Sequence, residues 1–221
     1  MKDYKVAVLV LFVMLTLWVT NASAQSSGSF NASGTSAACA IGADGSFSGG
    51  AAGANLLTTT VKTSNGQGVT LLIRPSLVTG LFTDTKISQT VPTASADVGI
   101  EVCLTIDGKE DGILSSPCVV YDQRFQQISS NLFSAIANIA GGTCVDENGD
   151  PCYFDLILST LSAHSYDFVA QVPNGDHVLT ATWRVIGSGA TAPSRVASCV
   201  GPGVLTVTQT KVFKQNGTLT F

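Results

Sequence analysis

Two hydrophobic patterns divide this chain. Residues 6–19 form one uncharged apolar block of 14 residues, whereas the rest is built from short apolar runs interleaved with polar residues. Period-two alternation marks a half-buried strand. It is clearest over residues 97–106, where Val98, Ile100, Val102, Leu104 and Ile106 share one face. It recurs at His164, Tyr166, Phe168, Ala170 and Val172, and again at His177, Leu179, Ala181, Trp183 and Val185. Further strand-like runs lie at 55–62, 69–74, 76–82, 113–121, 153–158 and 203–213. They are punctuated by Asn65-Gly66, Pro75, the acidic stretch 107–112 and Pro173-Asn174-Gly175-Asp176. Asn-Gly tolerates the positive φ of a tight turn, so a hairpin is expected at 64–66.

One stretch changes period. Phe125, Ile128, Leu132, Phe133, Ile136 and Ile139 recur at three- and four-residue spacing, Asp122 offers an N-cap, and Gly141-Gly142 a stop. This spacing predicts one amphipathic helix over about residues 123–139. Many short strands with a single helix predict a mainly β fold, an antiparallel β-sandwich or jelly-roll-like domain.

The leading apolar block is shorter than the roughly 20 residues a membrane-spanning helix needs. Lys2 and Lys5 precede it, and Ala22 and Ala24 follow at small-residue positions, which reads as a secretory signal peptide over 1–24 cleaved before Gln25. Residues 25–54, rich in Ser, Gly and Ala, read as a flexible lead-in, and 55–221 as a single domain. The expected location is secreted or extracellular, or periplasmic in a Gram-negative host. Removing Lys2, Lys5 and Asp3 with the leader leaves nine basic and fourteen acidic residues, from 11 and 15 in the whole chain. A mature chain this acidic, without a basic cluster, argues against nucleic acid and against a membrane partner after cleavage. A protein or glycan partner, or self-association, remains compatible with it.

All six cysteines fall in the mature part, an even count that in an exported chain implies disulfides. The spacings favour Cys144–Cys152 and Cys103–Cys118 as local bridges. Cys39–Cys199 would then tie the start of the domain to its last hairpin. Zinc is disfavoured because no Cys pair has the close spacing it needs. Between Cys144 and Cys152, Asp146, Asn148 and Asp150 alternate beside Gly149. Three hard oxygens so spaced resemble the first half of a calcium loop, although a Glu at the twelfth position is replaced by Ile157. The two readings are a weak calcium site and a disulfide-closed acidic turn without a cofactor. His164 and His177 fall on apolar faces and are expected across from one another as hydrogen-bonded core residues. No nucleophile elbow or metal-hydrolase motif accompanies them, so no catalytic residue is assigned.

The function expected from these features is that of a secreted, non-catalytic surface or extracellular-matrix-type protein. An extracellular binding module for glycan or protein with a weak calcium loop is the alternative. A hydrolase with a site assembled from distant residues is the third reading.

Overall fold

The computed structural model describes residues 29–42, 46–48, 55–64, 69–88, 91, 93–129, 131–132, 134–135, 147–149 and 152–210. The leader 1–24 lies outside them. The chain is mainly β. Its strands are β1 (Phe30–Thr35), β2 (Ala40–Ile41), β3 (Phe47–Ser48), β4 (Asn55–Thr63), β5 (Val69–Ile87), β6 (Ala94–Ile106), β7 (Cys118–Ile128), β8 (Phe154–Ser165), β9 (Phe168–Val172), β10 (Gly175–Ala190) and β11 (Arg195–Thr210). One antiparallel sheet has the order β1-β11-β5-β8, with β9 also on β5, and a second has the order β4-β10-β6-β7. A small hairpin joins β2 and β3.

Both large sheets contribute to one hydrophobic cluster. Leu57, Ile100, Leu104, Leu179 and Trp183 come from one, and Leu71, Ile73, Leu81, Phe168 and Leu205 from the other. The alternation in β6 therefore does what it predicts, setting one face in the core, and that in β10 does so from His177 to Trp183, whereas Val185, expected on the same face, is 43% exposed. The segment 25–54 contributes β1, paired with β11, and is anchored by the Cys39–Cys199 disulfide, Cα atoms 5.4 Å apart. Cys103–Cys118 bridges β6 to β7. Cys152 is disulfide-bonded too, while Cys144 lies outside the described residues. Intramolecular disulfides fit an extracellular or otherwise oxidising environment.

The expected helix over 123–139 is not seen. Residues through Ile128 belong to β7, and helical residues occur at 131–132 and 134–135. β7 also carries a bulge. Ile100 pairs with Asp122 but Glu101 with Val120, so Tyr121 is an extra residue in β7. A bulge reverses which parity faces inward. Val119 and Tyr121 therefore face inward before it, and Gln126 and Ile128 after it. Phe125 and Ile128, both beyond the bulge, lie on opposite faces of β7, 64% and 3% exposed, so their three-residue spacing joins two faces of a strand rather than one face of a helix.

Pro75 does not break its strand. β5 runs 19 residues through it. β9 pairs with β5 up to Ile73 and β8 pairs from Ser76, so Pro75 falls in the gap between two neighbours, where its missing N–H costs no ladder bond on that side. Nor do the local turns make the expected hairpins. β4 and β5 lie in different sheets, as do β9 and β10, so the links at 64–68 and 173–174 carry the chain from one sheet to the other.

Among the described residues no helix is long and apolar enough to cross a membrane.

Candidate functional site

His177 opens β10 and is 5% exposed. Its Nδ1 lies 2.8 Å from Asp107 Oδ2 and its Nε2 3.0 Å from the Pro173 carbonyl. Both neighbours are acceptors, so satisfying both requires the ring to donate from each nitrogen, as an imidazolium. Burial pulls the His177 pKa down. The bonds to Asp107 and Pro173, with the charges of Asp107 and Asp176, outweigh burial and hold the pKa above the usual value. Asp107 sits at φ 53° and its Oδ1 accepts the Val178 N–H at 2.8 Å. That bond, and then the His177 bond, hold its carboxyl below the usual range. The unit clips the 107–112 turn to the start of β10 and leaves neither ring nitrogen for a ligand.

His164 stands elsewhere. It lies on β8 opposite Leu77 of β5, whereas His177 pairs with Val61 of β4, so the two histidines belong to different sheets and do not face each other. The strands that carry them do not form a hairpin, which is why the expected pairing fails. His164 Nε2 is 3.7 Å from Asp122 Oδ2, beyond hydrogen-bond reach, and the same oxygen accepts the Thr79 hydroxyl at 3.2 Å. Asp167, its sequence neighbour, is instead paired with Arg74, Nη2 to Oδ2 2.7 Å. No nucleophile–base–acid relay is assembled around His164 among the described residues.

Asp146 and Asp150 lie outside the described residues, and Asn148 occupies an exposed turn between Glu147 and Gly149. Glu101, Cys103 and Cys118 do bring three ligand-type atoms together. The two sulfurs are joined as a disulfide and Glu101 is ion-paired with Arg184, so no thiolate is available there for a metal.

Sequence reasoning missed two features. The first is Asp84, fully buried, whose Oδ2 accepts Arg195 Nε at 2.8 Å and lies 3.5 Å from Lys86 Nζ. Arg195 also stands over the Phe82 ring, 5.7 Å from its centroid. The second is β8 itself. Its apolar run reads as a buried strand, yet it is the edge of its sheet. Ile157 is 47% exposed and Leu161 59%, on the face of β5 that carries Asp84 and Gly80, while Leu156 and Leu158 are exposed on the other face.

The exposure has a local cause. Opposite β8, β7 presents Arg124 and Gln126 rather than apolar side chains. Arg124 Nη2 donates to Thr160 Oγ1 at 2.7 Å, Gln126 Nε2 to the Leu156 carbonyl at 3.2 Å, and Thr83 Oγ1 to Gln126 Oε1 at 2.7 Å. This polar seam closes the space between the sheets with hydrogen bonds instead of hydrophobic contact, so Leu156 and Leu158 on the inner face find few partners. At one end of the same sheet, Thr35, Ser36, Ser76, Val78, Ser165 and Val204 line a cleft of about 600 Å³ with hydroxyls and small apolar groups. No family model matches the chain, and no curated protein matches it.

Proposed function

We propose that this chain is exported after cleavage behind Ala24, folds as a β-sandwich, and acts without catalysis as a cell-surface or extracellular-matrix component that works by contact. The observation that supports this most is the row Leu156, Ile157, Leu158 and Leu161, exposed along a sheet edge. Contiguous apolar exposure of this kind on an extracellular domain marks an association surface. The two sheets sharing one cluster support the sandwich architecture. The even cysteine count supports export. Fractionation of the producing culture tests the reading. The chain is expected with the surface or matrix material, and Leu161→Asp is expected to release it into the medium. Equal release of both forms would overturn the reading.

A second reading, an extracellular binding module, is favoured by the mainly apolar cleft beside Ser76, His164 and Ser165. Its hydroxyls suit a neutral, hydrogen-bonding ligand such as a glycan. Binding of a glycan panel, lost in Ser76→Leu but not in Leu161→Asp, would select this reading instead.

A further inference from the structure

We infer that the occupant of the β8 edge is β8 of a second copy of this chain, the two strands pairing antiparallel about a two-fold axis. The inference rests on the contact-surface reading above and names its partner.

The edge is open. Among the described residues β8 pairs with β5 on one side and with no strand on the other. Natural edge strands are blunted by charge, proline or shortness. The other edges follow that rule: β1 is six residues long, β4 carries Lys62, and β7 carries Asp122 and Arg124. From Leu156 to Ala163, β8 has no charged residue and no proline. Its one carboxylate, Asp155, lies before this stretch and is held by Lys86 at 2.9 Å.

The pattern is also self-complementary. An axis normal to the sheet places residues of the same face opposite each other. With Ser159 on the axis, Ile157 of each copy meets Leu161 of the other. These are the two exposed apolar residues of the outer face, and they are satisfied twice in one arrangement. On the inner face Leu158 meets Thr160 and Leu156 meets Ser162. Gln126 already holds the Leu156 carbonyl, so the freest stretch is the middle of the strand, through which the axis passes. The exposed aliphatic row offers on the order of a few hundred Å² of apolar surface per copy. That suits the centre of an interface burying roughly 800 Å² per partner.

The test uses the exported chain starting at Gln25 and three variants, followed by sedimentation velocity at micromolar concentration. The wild type is expected to be a dimer. Leu161→Asp, altering a side chain exposed in the single copy, should keep the β-sheet circular dichroism spectrum but weaken the dimer about a hundredfold or more by setting carboxylates against Ile157. Ser159→Cys, on the axis, should form a covalent dimer through Cys at 159, by peptide mapping, with the native bridges unchanged. Ser165→Cys, six residues from the axis, should not. A strictly monomeric wild type would overturn the inference, as would a dimer that Leu161→Asp leaves intact. If the chain dimerises through β8 yet stays free in the medium, the surface role fails and this inference stands. If a monomer is retained at the surface, the inference fails and the surface role stands.

Discussion

Raising the pH through neutrality should loosen the His177–Asp107 clip, and the size of the effect follows from its geometry. The His177 pKa is raised in the folded chain. Its stabilisation is therefore complete below the unfolded value near 6.5 and is lost as pH rises through the higher folded value. Asp107 behaves oppositely. Its pKa is lowered, so its contribution is present above the ordinary 3.8 and is lost as pH falls through the lower folded value. Stability from this unit should thus be flat between about pH 4 and 6.5 and decline on either side. A charge-assisted hydrogen bond contributes roughly 1.5–3 kcal/mol. The Asp107 side chain is 47% exposed, so water screens part of that, and about 1 kcal/mol is a fair share for the Asp107 bond. About another 1 kcal/mol belongs to the bond to the buried-side carbonyl of Pro173. The neutral ring keeps one N–H and with it one of the two bonds, so raising the pH costs the other, about 1 kcal/mol, a melting shift of about 2–4 °C for a chain of this size. Scanning calorimetry at pH 6 and pH 9 on wild type and His177→Ala measures it. The wild type should lose several degrees with rising pH, and the variant should start lower and lose much less. Parallel curves for the two proteins would refute the doubly donating imidazolium.

Further outcomes follow from other parts of the fold. Arg195→Met strips the principal partner from a fully buried Asp84 and should cost about 3 kcal/mol in urea unfolding, largely recovered by adding Asp84→Asn. The exposed Arg74–Asp167 pair makes a contrast, and Arg74→Met should cost less than about 1 kcal/mol. Gly80→Ala places a methyl 2.7 Å from Cys39 Sγ and 2.8 Å from Cys199 Sγ, and should destabilise by about 2–3 kcal/mol in the same assay. Removing Cys39–Cys199, whose ends are 160 residues apart, should cost about 5 kcal/mol by loop entropy, against about 3 for the 15-residue Cys103–Cys118 loop, both read by calorimetry. If the 146–150 loop is a weak calcium site, millimolar calcium should raise the melting temperature, and Asp146→Ala with Asp150→Ala should abolish the rise. An unchanged melting curve would identify a plain acidic turn.

What the sequence reveals depends on how local the determining physics is. β6 is legible because it sets one face in the core along its whole length, and β10 because it does so from His177 to Trp183, so period two survives in those residues. β7 is not legible, because the bulge at Tyr121 depends on its pairing with β6 and switches the inward parity midway. Pro75 signals a break, but its tolerance depends on a gap between β8 and β9 that only the assembled sheet creates. A turn motif indicates that the chain reverses, not whether it returns to the same sheet. Pro173-Asn174 therefore suggested two facing histidines where the fold separates them. The Asp107–His177 clip joins residues 70 apart and the Asp84–Arg195 pair residues 111 apart, distances at which no periodicity carries a signal. The β8 run was visible as apolar. Its exposure was not, because it comes from the place of β8 at a sheet edge and, for Leu156 and Leu158, from the polar residues of β7 facing them.

Amide hydrogen exchange read by mass spectrometry tests the contact role of β8 most directly. The chain is compared as it occurs in native extracellular material and as an isolated Leu161→Asp variant in solution. Peptides covering residues 156–161 should exchange slowly in the native material and much faster in the variant, with the core of β6 and β10 equally protected in both. Fast exchange over 156–161 in the native material, with new protection appearing elsewhere, would contradict the account.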